Sequence, residues 1–225
     1  MFKIIWAEQK RDITFLTSLP EASEKLKIFH ADLNDPHSFE VAIKGCTGVF
    51  HVATPTPTYF DTQETEEEVI NKVIDGTLGI LKSCLNSTTV KRVVYTSSSA
   101  AVILSDNNAQ VTDESCWSDV DYIKTLKSFS SLYWISKTLV EKRALEFAQE
   151  HGLDLVTVIP PFIVGPFICP NLPASVEAAL AMIFGKYYCG PNSRSHRFGG
   201  DSNTIELKFI DIFYHNFICD ACSNW

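Results

Sequence analysis

The residues whose types and spacing most clearly suggest chemistry are Tyr133 and Lys137, in the segment Tyr133-Trp134-Ile135-Ser136-Lys137. Residues four positions apart on a helix lie on the same face. An ammonium group beside a tyrosine favours the phenolate, so the tyrosine can exchange a proton with a carbonyl or an alcohol. The spacing is not specific by itself, because many helices carry a packed tyrosine and a solvated lysine at this interval.

Serines follow a predicted strand upstream of this pair. The run Arg92-Val93-Val94-Tyr95-Thr96 is short and rich in β-branched residues, and Ser97-Ser98-Ser99 comes next. Open α/β sheets bind ligands beyond the carboxyl ends of their strands, where a serine hydroxyl can donate a hydrogen bond to a carbonyl oxygen that gains charge. A polar loop that only caps the strand is the alternative. Ser98, Tyr133 and Lys137 in this order resemble the catalytic set of short-chain dehydrogenases/reductases.

The elements that would position these residues alternate between strands and helices. Short apolar runs that end at turn signals predict buried strands at 49–53, 92–96 and 155–159. Helical patterns lie around and between them: one starts at Asn34-Asp35-Pro36 and ends at Gly45, one follows a capping box of Thr65 and Glu68, and one runs from about 131 to 151 before Gly152. This alternation predicts an α/β fold with a doubly wound parallel sheet.

Composition and charge limit the class of protein and its partners. The chain has 225 residues and a formal net charge of −8, with no basic run, which argues against nucleic acid and anionic lipid as partners. The apolar patch Ile4-Ile5-Trp6 is too short for a signal-peptide core, and no later run is long enough to span a membrane. We therefore expect a cytoplasmic protein. Seven cysteines at irregular spacing indicate free thiols, and Cys219-x-x-Cys222 lacks the further ligands of a metal site.

Longer stretches resemble plant reductases of the vestitone and dihydroflavonol reductase type, which are extended short-chain reductases of the NAD-dependent epimerase/dehydratase superfamily. The resemblance covers roughly residues 9–187. The segments that carry it include Lys10 to Leu16, Ala31-Asp32-Leu33, Gly45 to Pro55, Thr96-Ser97-Ser98, Ser136 to Leu139 and Pro160 to Pro166. The resemblance implies a Rossmann-like domain that binds NADPH and reduces the ketone of a flavonoid-like or isoflavonoid-like phenolic substrate. We expect no metal site, and a monomer if the chain folds.

The resemblance also assigns roles to individual residues. Ser98 would polarise the substrate carbonyl, Tyr133 would supply the proton, and Lys137 would hold the nicotinamide ribose. The resemblance assigns the remaining cofactor contacts to three further segments. Asp32 and Leu33 would flank the adenine, Val52, Ala53 and Thr54 would line the ribose and phosphates, and Pro160 and Ile163 would pack beside the nicotinamide.

The sequence departs from the family pattern in three places. No glycine-rich turn for the pyrophosphate precedes Lys10, so we expect the first βα unit to be missing and NADPH binding to be weak or lost. The pattern ends near residue 187, so residues 1–187 would form an incomplete NADP-binding domain, without most of the C-terminal substrate lobe, and 188–225 a divergent, poorly ordered tail. Ile103 stands where dihydroflavonol reductases carry a polar residue. A non-catalytic, truncated isoform or binding fragment is therefore the alternative function.

Overall fold

The computed structural model describes residues 2–6, 13–54, 64–106, 111–113, 115–128, 130–161, 163–166, 172–173, 175–176 and 179–180. The chain divides into two compact units, Met1–Pro161 and Phe162–Trp225. All strands and longer helices described below belong to the first unit. The predicted boundary after residue 187 lies outside the described residues and stays a prediction, as does the disorder of the tail.

The described residues of the first unit form five parallel strands: β1 (Phe2–Trp6), β2 (Leu26–His30), β3 (Gly48–His51), β4 (Arg92–Thr96) and β5 (Leu155–Val158). The three strands predicted from apolar runs are confirmed as β3, β4 and β5, with small differences at their ends. Strands β1 and β2 were not predicted, since Ile4 to Trp6 form only a short apolar patch in the sequence. All described strand pairs are parallel, which confirms the predicted sheet class.

The strands pair as two separate sheets, one of β1 and β2 and one in the order β3-β4-β5. The common doubly wound sheet places its first strand between the second and the fourth. Among the described residues no strand joins the two sheets, at the position that the first strand holds in that order. Strand β3 is consequently an edge strand, and Phe50 and the following Val52 are 61% and 62% exposed.

Helices connect the strands and cover the three-stranded sheet. In the described part of the first unit the α-helices are α1 (Thr14–Thr17), α2 (Ala22–Lys25), α3 (Glu40–Ile43), α4 (Glu66–Asn86), α5 (Val120–Thr125) and α6 (Ser131–His151). Two short 3₁₀ turns lie at Pro36–Phe39 and Ser99–Ala101. None of the helices in the described part of the chain is long and apolar enough to cross a membrane.

The predicted helix ends are confirmed by local contacts. Thr65 and Glu68 form the capping box of α4: the Thr65 hydroxyl accepts from the Glu68 amide at 3.3 Å, and the Glu68 carboxylate accepts from the Thr65 amide at 2.7 Å. Gly152 ends α6 with φ of 67°. The segment after Asp35 begins as a 3₁₀ turn, because the Asp35 carboxylate accepts from the amide of His37, and it continues as α3.

Helices α4 and α6 pack together over β4 and form the main core. Its buried residues are Phe39, Ile43, Ile80, Leu81, Cys84, Val93, Ala144 and Phe147. Two glycines let α4 approach the connection that follows β2. A Cβ atom added to Gly79 would lie 2.6 Å from the Pro36 ring, and one added to Gly76 would lie 3.0 Å from the Leu33 carbonyl oxygen. The carboxyl end of β2 is thereby fixed against the core.

Candidate active site

The ends of β3 and β4 bring two polar segments together, as the parallel arrangement requires. Strand β3 leads into Val52 and Ala53, which are exposed, and then into the half-buried Thr54. Strand β4 ends at Thr96 and leads into the serine run. The amide of Ser97 donates to the Val158 carbonyl at 2.8 Å, which extends the β4–β5 pairing past the end of the strand. The carboxyl edge of this sheet is therefore rich in hydroxyl and carbonyl oxygens.

Lys137 reaches this edge from helix α6. Its side chain is 4% exposed, and its Nζ donates to Thr54 Oγ1 at 2.9 Å and to the Thr96 carbonyl oxygen at 3.2 Å. The same Nζ lies 5.5 Å from the centre of the Tyr95 ring. A solvated lysine, which was the alternative from sequence, is excluded by this burial. The ammonium instead links α6 to the ends of two neighbouring strands.

The surroundings of Lys137 disfavour its charge. Burial lowers the pKa of Lys137 from 10.5 to about 8, and the carboxylate of Glu141 acts in the opposite direction. Glu141 follows Lys137 by one helical turn and is 1% exposed. Its carboxylate accepts a hydrogen bond from Ser97 Oγ, across the interface between α6 and the end of β4.

Ser98 and Tyr133 lie on elements that pack against each other. Ser98 is the N-cap of the 3₁₀ turn Ser99–Ala101, and its Oγ accepts from the Ala100 amide at 3.2 Å. Thr138 of α6 donates to the Ala100 carbonyl at 3.4 Å, which joins the helix to this turn. Tyr133 is half-buried near the start of α6, one turn before Lys137. The fold thus places the serine turn against the helix that carries the tyrosine and the lysine.

Two buried aromatic groups lie beneath the site. His51, the last residue of β3, is buried, and its ring centre lies 5.2 Å from that of Tyr95. Burial, together with the nearby charge of Lys137, lowers the pKa of His51 to about 4, so the ring is neutral at neutral pH. Its Nε2 has no hydrogen-bond partner among the described residues. Burial also raises the pKa of Tyr95.

Asp32 and Leu33, predicted to flank the adenine, lie after β2 and therefore at the end of the other sheet. The Asp32 carboxylate accepts from the amide of Asn34 at 2.9 Å, which forms a local turn. Leu33 is half-buried and packs against the main core. The described contacts do not bring these two residues to Lys137, so their role toward a cofactor stays a prediction.

Pro160 and Ile163, predicted to lie beside the nicotinamide, fall in different units of the chain. Pro160 is buried, and its carbonyl accepts from the Ser99 amide at 3.0 Å, which places it next to the serine turn. Ile163 is 62% exposed, and its carbonyl accepts from Ser175 Oγ at 2.8 Å within the second unit. The roles of both residues stay predictions.

The residues present suit part of a nicotinamide cofactor. An exposed strand end at Val52 and Ala53, with the Lys137 ammonium held beside Thr54, offers the polar and apolar groups that a ribose and a nicotinamide ring require. For the pyrophosphate, the segment between β1 and α1 contains no glycine and lies mostly outside the described residues. Groups of histidine, cysteine, aspartate or glutamate that could hold a metal ion do not occur in the described ranges.

Sequence reasoning missed the part of the site that depends on packing. The Thr96 carbonyl, the Ser97–Glu141 contact and the buried His51 were not predicted as elements of the site. The only sequence signal for Glu141 was its position, four residues after Lys137 on the face that carries Tyr133. Of the seven cysteines, Cys46, Cys84 and Cys116 are free, as predicted; the other four lie outside the described residues.

Comparison with known proteins gives consistent matches. Vestitone reductase of Medicago sativa is 54% identical over 179 residues, which are 80% of this chain and 54% of that protein. A dihydroflavonol 4-reductase of the same species is 46% identical over 178 residues, 79% of this chain and 81% of that sequence. The crystal structure of alfalfa vestitone reductase superposes with a TM-score of 0.70 at 49% identity, over 80% of this chain and 55% of that one.

The chain spans about half the length of vestitone reductase. The sequence profile described as the NAD dependent epimerase/dehydratase family matches residues 5–191, well over half of the chain. This range begins within β1 and includes β2 to β5, the serine turn and helix α6. The chain therefore belongs to the NAD dependent epimerase/dehydratase family.

Proposed function

We propose that the protein is an NADPH-dependent reductase that transfers a hydride to the ketone of a flavonoid-like or isoflavonoid-like substrate. The observation that carries this proposal is the buried ammonium of Lys137, which is held by Thr54 and the Thr96 carbonyl one helical turn from Tyr133. A lysine buried in this way can orient neighbouring groups, whereas a surface lysine extends into solvent. The family membership and the named reductases among the relatives support the same reaction class.

In the proposed reaction the chain's own residues bind the substrate and move one proton. NADPH, when bound, supplies the hydride to the carbonyl carbon. The Ser98 hydroxyl donates a hydrogen bond to the carbonyl oxygen, which gains negative charge as the C=O π bond breaks. Tyr133 gives its hydroxyl proton to that oxygen, which completes the alcohol. The phenolate left on Tyr133 is stabilised by the ammonium of Lys137 on the same helix face.

The substrate class is proposed from the relatives and from one departure in the sequence. Identity to vestitone reductase is 54% and identity to the dihydroflavonol 4-reductase of the same species is 46%. Ile103, just after the serine turn, is 53% exposed and cannot form the hydrogen bond expected of a polar residue at this position. Both observations favour an isoflavonoid-like ketone over a dihydroflavonol. We expect the protein to act as a cytoplasmic monomer.

A binding fragment without catalysis is the second candidate, and the open sheet edge favours it. Among the described strands, β3 has a partner on only one side, and Phe50 and Val52 are largely exposed. Edge strands with exposed apolar residues promote association with other chains. In that case the catalytic residues would be present while the cofactor site is incomplete.

Titration with NADPH separates the two candidates. Intrinsic tryptophan fluorescence and thermal unfolding are followed at increasing NADPH, with wild type compared with K137M. Saturable binding that raises the Tm of wild type, and less so that of K137M, supports the reductase, and a panel of phenolic ketones then identifies the substrate. Folded protein that binds no NADPH at millimolar concentration, and that binds a hydrophobic dye strongly, supports the binding fragment instead.

A further inference from the structure

Glu141 is a buried acid that the reaction described above does not use. Its side chain is 1% exposed in the middle of α6, next to the core residue Val140. Glutamates are almost never fully buried unless they are paired, because water solvates the charge much better than protein does. The burial of Glu141 therefore requires a specific reason.

The first contact of Glu141 ties the helix to the serine turn. Ser97 is 4% exposed and donates its hydroxyl to the Glu141 carboxylate. The backbone of Ser97 is fixed independently, because its amide donates to Val158 of β5. Ser98 is the next residue along the chain. The contact thus sets where the end of β4, and with it Ser98, lies relative to the helix that carries Tyr133 and Lys137.

The second contact of Glu141 is electrostatic. The direct acceptors of the Lys137 ammonium are neutral, namely Thr54 Oγ1 and the Thr96 carbonyl. Among the described residues, Glu141 is the negative group that favours the charged form of Lys137 and so raises its pKa against the effect of burial.

The other elements around Lys137 and Glu141 contribute no negative charge that would compensate the Lys137 ammonium. Strand β3 presents His51, which is neutral near neutral pH, and β4 presents Tyr95, whose pKa is raised by burial. Helix α6 itself presents Tyr133, and α4 contributes the uncharged Val73 to the layer of Tyr95 and Val140. The carboxylate of Glu141 is the compensating negative charge in this buried region of the described chain.

We propose that Glu141 is a positioning residue of the site, which holds the Ser97–Ser98 turn against helix α6 and balances the buried ammonium of Lys137. The proposal rests on the proposed function in so far as Ser98 and Lys137 act in the reaction. It differs from a purely structural role, in which Glu141 would only satisfy Ser97 and leave the titration of Lys137 unchanged.

The test is the titration of Lys137 in wild type, E141Q and the control E146Q. Glutamine still accepts from Ser97 through its amide oxygen but removes the charge. Glu146 lies on the same helix, is about half exposed and pairs with Arg143 at 2.6 Å, so E146Q changes the charge of α6 equally without touching the site. The pH dependence of acetylation of Lys137 is measured by mass spectrometry, with the exposed Lys82 as internal reference.

In E141Q the midpoint for Lys137 should fall by about one pH unit relative to wild type, because an opposite charge nearby shifts a pKa by about that much. The E146Q and Lys82 midpoints should not move. An E141Q midpoint equal to that of wild type overturns the proposal. If E141Q does not fold, E141D is used instead. This variant keeps the negative charge, so Lys137 should titrate as in wild type. A Lys137 midpoint lowered by about one pH unit in E141D would contradict the role of the charge.

The outcome is independent of cofactor binding, so the two proposals can fail separately. A shifted Lys137 midpoint in protein that does not bind NADPH leaves the role of Glu141 intact and removes the reductase. Turnover of a ketone with an unshifted midpoint removes the role of Glu141 alone. Where wild type turns over, E141Q should also move the pH profile of kcat in the same direction, which a purely structural role would not do.

Discussion

Replacing Lys137 by methionine should remove a pH dependence from the free energy of unfolding. Burial lowers the pKa of Lys137 from 10.5 to about 8, so the folded protein holds this proton less firmly than the unfolded chain. One pKa unit corresponds to about 1.36 kcal/mol, so the whole difference amounts to roughly 3 kcal/mol. The side chain is 4% exposed, and solvent screening therefore reduces this figure little.

The sign of the effect follows from proton binding. Between about pH 8 and pH 10.5 the unfolded chain binds more protons at Lys137 than the folded protein does, so the free energy of unfolding of wild type rises with pH in this window. Below about pH 8 Lys137 is protonated in both the folded and the unfolded state, and the full penalty for burying its charge is present. K137M has no proton to lose, so its stability should lack this rise.

The assay is urea unfolding followed by tryptophan fluorescence at several pH values for wild type and K137M. The difference between the two proteins cancels the titrating groups that do not interact with Lys137, and the loss of the contacts to Thr54 and Thr96 adds a constant. His51, which does interact with Lys137, titrates at about pH 4 and therefore outside this window. K82M is the control, since Lys82 is exposed on α4. A wild-type minus K137M difference that stays constant within about 0.5 kcal/mol across the window would refute the buried, desolvated ammonium on which the site depends.

Three further predictions test the fold around the site. G79A should lower the Tm, because overpacking against the rigid Pro36 ring costs roughly 1–3 kcal/mol, which exceeds the gain of about 1 kcal/mol in helix propensity. A higher Tm would contradict the close approach of α4 to Pro36. The free energy of unfolding of wild type should fall as the pH falls from 6.5 to about 4, because the unfolded chain binds the His51 proton more firmly than the folded protein does. H51Q should lack this loss. Urea unfolding at acid pH gives the difference between the two proteins, which is expected to be up to roughly 3 kcal/mol. T65A should lower the free energy of unfolding by about 1 kcal/mol through the loss of the capping box, and an unchanged thermal transition would show that the cap contributes nothing.

The sequence predicted the central strands and long helices because their signals are local. A capping box at Thr65, a glycine in a left-handed conformation at residue 152 and continuous apolar runs at β4 and β5 all act within a few residues. Strands β1 and β2 were missed for a related reason. Both are edge strands of a two-stranded sheet, and Lys27 and His30 interrupt the apolar residues of β2. A strand covered on fewer sides does not need the apolar run by which a central parallel strand is recognised.

The site was predictable only as far as the residues of the motif. The order of Ser98, Tyr133 and Lys137 follows from the sequence, but the burial of Lys137 and its contact with Thr54 join positions 83 residues apart. The Ser97–Glu141 contact spans 44 residues. A glutamate inside a helix is usually solvated, so only the packing of α6 against β4 distinguishes Glu141 from the exposed acids of the same helix.

The separation of the two sheets divides the residues of the proposed site into two groups, and this division can be tested by cofactor binding. Thr54, Ser98 and Lys137 depend on the three-stranded sheet and on α6, which share one core with α4. Asp32 belongs to the end of the two-stranded sheet, so the proposed adenine contacts and the proton-transfer residues lie on different sheets. A bound dinucleotide would have to span both. Its binding should therefore stabilise the end of the two-stranded sheet as well as the site, and a fragment of the cofactor that carries only the nicotinamide and ribose should bind without that added stabilisation.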